Sequence, residues 1–226
     1  MKCPYQIGTH DVYRFSMPVI DSSMYLVRGE RSCLIVDPCV SEEAEALLRE
    51  WHPQKCLVLL THEHCDHISG VNWLRDLLPC EVVCSETCAA RIKDPKKNLA
   101  AYAAALVLSR SEEEQKQFLE AIDRQHACRA DRTYARQAEL QWEDLTLTLT
   151  ETPGHSPGSQ IIDIGRCWFF TGDSLIPGTD VITGFPGGSK RTYQEAAAPY
   201  LETIPSGSIV FPGHGMETVW PAPSDV

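Results

Sequence analysis

Residues 59–70 read LLTHEHCDHISG and set His62, His64, Asp66 and His67 within six positions. The chain has only 8 histidines in 226 residues, so three in one short stretch is a strong concentration. Imidazole and carboxylate together suit Zn²⁺, and also iron or manganese. His62 and His64 are two apart. On a helix they would point about 200° from one another, whereas on an extended segment they share a side. The HxH pair therefore reads as a strand end or loop aiming two imidazoles at one point, with Asp66 and His67 where the chain turns into a helix. A solvated polar loop is the competing reading. The continuous apolar run KCLVLLTH, 55–62, that leads into the motif argues against it.

Three more metal-competent residues follow strand-like runs: His155 in ETPGHSPGS, Asp173 in FFTGDSL and His214 in VFPGHG. Each is flanked by Gly or Pro, which permit the tight turns on which a sheet scaffold presents functional groups.

The elements around these motifs alternate. Residues 11–37 hold three short strand-like runs, DVYRFSMPVI, SSMYLVRG and RSCLIVDP. SEEAEALLREW, 41–51, reads as a helix capped by Ser41, with Glu42 and Glu43 in its positive first turn. The run 55–62 reads as a strand buried on both faces. ISGVNWLRDLL has helical spacing and CEVVCS is strand-like. Residues 86–128 form a helical insertion: AAYAAALVL and SEEEQKQFLEAI are helical in composition, and Ser111 with Glu114 makes a capping-box pattern. Strands resume at 145–152, 160–165 and 167–173. A Gly/Pro-rich stretch, 177–189, precedes a helix near TYQEAAAPYLETI and a last strand, SIVFPGHG. Strands interleaved with helices predict one α/β domain of layered sheets spanning 1–226.

Composition narrows the partners. The net charge of −11 disfavours nucleic acid and anionic lipid, which need a basic surface. No window holds the roughly 18 consecutive apolar residues of a membrane span. The first residues, MKCPYQIGTHDVYRF, lack an apolar export signal, and the ten cysteines include no CxxC pair, so a reduced, cytoplasmic protein is expected. Cys33, Cys56, Cys80, Cys84 and Cys167 lie in strand-like runs, where Cys behaves as a small hydrophobe. A small-molecule substrate remains, with a homodimer as an open alternative.

THEHCDH, PGHS, GD and PGHG, in this order, resemble the metallo-β-lactamase superfamily of binuclear metal hydrolases. The resemblance spans the chain apart from the insertion. It implies a four-layer αββα sandwich. It also implies that His62, His64 and His155 hold one metal ion, that Asp66, His67 and His214 hold a second, and that Asp173 bridges them. Two zinc ions per chain are expected, with iron or manganese as alternatives. The implied reaction is attack of a metal-bound hydroxide on a small thioester, ester or lactone, with Asp66 as the residue that exchanges a proton.

Departures from relatives refine this. Flavodiiron proteins of this fold carry Glu where this chain has His64, which disfavours oxygen reduction. Many true β-lactamases of the fold have Cys in place of Asp173 and are exported. Glyoxalase II adds a C-terminal helical domain, whereas 12 residues follow His214 here, which sets glutathione thioesters in doubt. An iron-dependent persulfide dioxygenase-like enzyme and a non-catalytic metal-stabilised binding protein are the alternatives. The insertion reads equally as a lid or as a dimer face.

Lys190, Arg191 and Tyr193, in GGSKRTYQEA, are candidates for binding a substrate carboxylate, against the plainer reading of an exposed helix start. Ser156 and Ser174 adjoin ligand positions and read as supporting or turn residues. Cys65 reads as no ligand. His10, His52 and His126 lack partners in sequence and read as surface residues.

Overall fold

The computed structural model describes residues 1–221. Seven strands form the first sheet, in chain order: β1 (Lys2–Ile7), β2 (His10–Ser16), β3 (Ser23–Arg28), β4 (Ser32–Val36), β5 (Lys55–Leu59), β6 (Cys80–Ser85) and β7 (Arg132–Tyr134). β1 to β4 run antiparallel, then β4 to β7 parallel. The second sheet has the order β13-β12-β11-β10-β9-β8, with β8 (Gln137–Trp142), β9 (Leu145–Glu151), β10 (Gln160–Ile164), β11 (Trp168–Gly172), β12 (Ile209–Pro212) and β13 (Thr218–Val219). Only its β11–β12 pair is parallel.

The sequence explains both. β4 reads SCLIV and is buried throughout, as a strand covered on both faces must be. In β9, Leu145, Leu147 and Leu149 alternate inward while the threonines face out. Between the sheets, Val27, Leu34 and Leu59 meet Leu149, Phe170 and Phe211. Phe170 and Phe211 stack at 4.7 Å, and Tyr25 lies edge-on to both at 5.4 and 5.3 Å. Such pairs add about 1 kcal/mol beyond the area they bury.

Helices cover the outer faces. α1 (Glu42–Trp51) turns Ala44 and Leu48 onto the first sheet, and Ser41 caps it by accepting from the Ala44 N–H at 3.2 Å. α2 (Cys65–Ile68) and α3 (Val71–Leu77) split the expected ISGVNWLRDLL helix at Ser69–Gly70, where the Gly70 N–H donates to the Pro38 carbonyl. Leu201 and Ile204 cover the second sheet at Ile161 and Phe169. The layers are therefore the αββα sandwich.

Between β6 and β7 lie α4 (Glu86–Arg91), a 3-10 turn (Ala100–Tyr102), α5 (Ala103–Leu106) and α6 (Glu112–Ala121). The capping box of Ser111 and Glu114 forms as expected. AAYAAALVL is not one helix. Leu99 has a φ of +71° and Asn98 spends its side chain on the backbone of Ile92, Ala100 and His126, which breaks the run at its start. The helix at TYQEAAAPYLETI is also interrupted: a wide π turn at Tyr193–Ala197 separates α7 (Lys190–Thr192) from α8 (Ala198–Leu201). Pro199 has no N–H to return to Glu195, and its ring crowds that carbonyl.

The motif-bearing segments all leave the sheets at one rim: Asp37 after β4, residues 60–67 after β5, 152–159 after β9, Asp173 after β11 and 213–214 after β12. Backbone bonds stitch them together. Gln160 N–H donates to Thr61 O at 2.8 Å, Ser23 to Gly213 O at 2.7 Å and Gly213 to Gly172 O at 2.8 Å.

Candidate metal centre

β5 ends at Leu59, the chain bends at Thr61, and His64 is extended where the chain turns into α2. The two imidazoles of the HxH pair accordingly face one another, with ring centroids 4.6 Å apart. The loop after β9 brings in His155, whose Nε2 stands 3.0 Å from His64 Nδ1. His62, His64 and His155 each offer a ring nitrogen within 4.8 Å of the others. Asp66, His67 and His214 make a second such group. Asp173 stands between the two groups. Its Oδ2 lies 3.4 Å from Nε2 of both His155 and His214, and its Oδ1 lies 3.5 Å from His67 Nε2. All seven expected residues thus meet at one rim.

Gly213 makes this convergence sterically feasible. A Cβ there would strike the Asp173 carboxylate and come within 3.0 Å of His67.

The remaining hydrogen bonds orient the rings. His155 Nδ1 donates to the Ile182 carbonyl at 2.7 Å and His214 Nδ1 to the Ile20 carbonyl at 2.8 Å, which turns each Nε2 toward the centre. His67 Nδ1 lies 3.0 Å from the Asp37 carboxylate, itself fixed by the Thr61 N–H at 2.6 Å. An imidazole held from behind by a carboxylate is a well-oriented and more basic metal ligand.

A cation fits this donor set. His62 Nε2, His64 Nε2 and Asp173 Oδ1 are buried without a protein partner, and buried polar atoms are rarely left so. Burial holds the His62 imidazole well below its usual value and the His64 imidazole down to about 3, so both are neutral at pH 7. Burial pushes the Asp66 carboxyl up, but His67 and His214 outweigh it and hold it at about 2. For His67, burial opposes the charge, yet the Asp66 and Asp173 carboxylates raise it well above the ordinary range. Ionised carboxylates and neutral imidazoles are ready ligands, and His67 would give up its proton on binding a cation.

The centre floors a cleft of about 490 Å³. Leu99 and Leu106 from the segment between β6 and β7, and Ile176, Ile182 and Phe185 from the loop after β11, wall it, with Arg110 the cation on its lining. Lys190, Arg191 and Tyr193 are not part of that lining. Lys190 is exposed, Arg191 pairs with Glu195 at 2.8 Å, and Tyr193 donates to the Ser174 carbonyl at 3.1 Å.

Other expectations resolve individually. Cys65 lies in the core beneath the first sheet's helices. His10 meets Asp144 at 2.6 Å, and His52 ends α1 in a left-handed conformation. His126 is not a surface residue: it is buried and its Nε2 donates to the Ile68 carbonyl at 3.0 Å. Cys167 is exposed in the turn before β11, whereas Cys33, Cys56 and Cys84 are buried. Sequence reasoning missed Asp37, Glu63 and Arg91. Asp37 carried a faint signal, an acid closing the apolar run LIVDP; Glu63 carried another, an acid inside the HxH pair.

Comparison with known proteins agrees with this geometry. Over 206 residues the chain is 26% identical to the probable metallo-hydrolase YqgX of Bacillus subtilis (strain 168), covering 89% of this chain and 90% of that protein. It is 26% identical over 200 residues to a hydroxyacylglutathione hydrolase of Aeromonas hydrophila, covering 86% of this chain but 61% of that protein. The crystal structure of BLEG-1 B3 metallo-beta-lactamase superposes with a TM-score of 0.75 at 25% identity, covering 92% of this chain and 93% of that one. The family profile of the metallo-beta-lactamase superfamily matches residues 17–214, from before β3 to the last histidine of the centre, and the chain belongs to that superfamily of metal-binding hydrolases.

Proposed function

We propose that the protein is a binuclear metallohydrolase that cleaves small thioesters, esters or lactones. His62, His64 and His155 would hold one zinc ion, Asp66, His67 and His214 a second, and Asp173 would reach both. Asp173 carries this reading, because its carboxylate stands within 3.5 Å of histidines from both groups while Oδ1 has no protein donor. Nitrogen and oxygen donors without a thiolate favour zinc, with iron or manganese as the other candidates. When bound, a metal pair supplies Lewis acidity and a water that ionises near neutral pH.

The chain's own residues do the rest. The Ile182 and Ile20 carbonyls and the Asp37 carboxylate hold three imidazoles in aim. Asp66 lines the cleft in its ionised form, so it can accept a proton but has none to donate. Leu99, Leu106 and Phe185 exclude water and take the apolar part of a substrate, and Arg110 offers charge to an anionic end. Because Leu99 and Leu106 wall the cleft, the segment 86–128 acts as a lid. A cleft of about 490 Å³ suits a small acyl compound. One relative is by name a hydrolase of hydroxyacylglutathione, which is a thioester.

Elemental analysis together with turnover of a carboxylic ester, a thioester, a lactone and a phosphodiester tests this. Two zinc ions per chain and turnover of a thioester, ester or lactone are expected; turnover of the phosphodiester alone contradicts the substrate class. The second reading, an iron enzyme resembling persulfide dioxygenases, draws on Asp173 Oδ2 lying 3.4 Å from His155, which completes a histidine–carboxylate set around one ion. One iron per chain with oxygen consumption favours it. Two tightly held ions with no turnover of any of the four favour a binding protein.

A further inference from the structure

Glu63 stands between His62 and His64 yet belongs to neither donor group. Its side chain is 0% exposed and paired with Arg91, at the end of α4. The Glu63 Oε2 also accepts from Ser156 Oγ at 2.8 Å and from the Gly158 N–H at 3.1 Å. Position 158 has to be glycine, since a Cβ there would run into Glu63 and Cys88. Arg91 reaches further: its Nη2 donates to the carbonyls of Lys97 at 3.1 Å and Pro186 at 3.2 Å.

Both supports of His155 meet at this pair. The turn that follows it, residues 156–158, hangs on the Glu63 carboxylate. The carbonyl that receives its Nδ1–H belongs to Ile182, four residues before the Pro186 that Arg91 grips. Phe185 from the same loop stands edge-on to His64 and His155, with centroids 5.6 and 6.1 Å away. One ion pair, with Glu63 fully buried and Arg91 18% exposed, thus joins the HxH segment, the His155 turn, α4 and the cleft wall. A fully exposed pair would be too loose and too screened for this. Here the Glu63 carboxylate has no water to turn to, so any other arrangement leaves its charge unpaired.

We infer that Glu63 and Arg91 are positioning residues that fix the aim of His155 and the placement of Phe185, and so set the cation affinity of the His62–His64–His155 group independently of the Asp66–His67–His214 group. This rests on the assignment of both groups as metal sites under the proposed function.

The test is chelator titration of the cobalt(II)-loaded protein, followed by visible absorption and metal content. A His155→Ala variant identifies which release step belongs to the first group. Glu63→Gln and Arg91→Lys keep the side chains' size but lose the ion pair or its forked bonds. Glu63→Leu with Arg91→Met removes both charges, so no buried charge is stranded, and the loss is limited to the neutral bonds from Ser156 Oγ and the Gly158 N–H. Melting of the metal-free proteins checks this. The first-group step is expected to weaken about 10–100-fold in each, with the second step unmoved. The double variant should lose little more than Glu63→Gln, since the two residues act as one unit. Arg91→Lys should fall between wild type and the others, because an ammonium cannot hold Glu63 and two carbonyls in one plane. A folded double variant with both steps at wild-type positions overturns the inference, as does an equal shift of both steps that tracks the melting temperature. Wild-type protein that takes up no cobalt overturns the site assignment itself, and the inference with it.

Discussion

His67 binds on one side to Asp37 and faces Asp66, Asp173 and His214 on the other, so its behaviour depends on four neighbours that the sequence scatters from 37 to 214. Asp37→Asn keeps the shape and removes the charge behind the ring. Its cation affinity is expected to drop about 10–100-fold, measured by competition with a chelator. Asp173→Ala should cost both metal content and hydrolysis, the latter at least about a thousand-fold, because under the proposed function several kcal/mol of barrier would rest on the ions it would join. His126 gives a pH signature away from the centre. Burial lowers its imidazole below the ordinary 6.5, so the unfolded chain takes the proton first on acidification. The stability that neutral His126 contributes is present above pH 6.5 and is lost as pH falls from there through the folded-state value. NMR titration should place its midpoint below 6.5, and His126→Gln should flatten that part of the stability profile of the metal-free protein. His62, His64 and His67 were legible because they crowd into six positions after an apolar strand, and His155 and His214 because each follows an apolar run and stands beside Gly. Glu63, Asp37 and Arg91 were not, since lone acids and arginines are common and only folding shows which are buried together.

The strands that carry these residues differ in how plainly they read. β4, β5 and β9 have apolar runs or strict alternation, and they stand where the pattern put them. β1 turns Cys3, Tyr5 and Ile7 toward the core, but Pro4 interrupts this short run, and β7 spans three residues that are exposed or half-buried, with no hydrophobic period to find. An edge strand as short as β7 is held by pairing with its neighbour. The inner strands hold the rim in place. Phe170→Ala, deleting a ring between the sheets, is expected to cost about 3–5 kcal/mol in denaturant unfolding. Gly213→Ala should push Asp173 from His67 and lower metal content, and should also cost stability, because the added Cβ meets the Gly172 backbone at 2.8 Å.

Across the whole molecule, a net charge of −11 surrounds a centre built to attract cations. Among the described residues no helix is long and apolar enough to cross a membrane. The two sheets bring five loops to one rim, the helices seal their outer faces, and the segment between β6 and β7 closes one side of the cleft. The sandwich was legible from the order of strands and helices together with the family motifs. The shape of the cleft wall was not, because it depends on where Asn98 and Leu99 break the Ala-rich run. Anomalous diffraction from zinc-loaded crystals, collected on both sides of the zinc edge, decides whether two ions share this rim. Two peaks are expected, one among His62, His64 and His155, the other among Asp66, His67 and His214, with the Asp173 carboxylate between them. A single peak, or a second one away from these side chains, contradicts the binuclear centre.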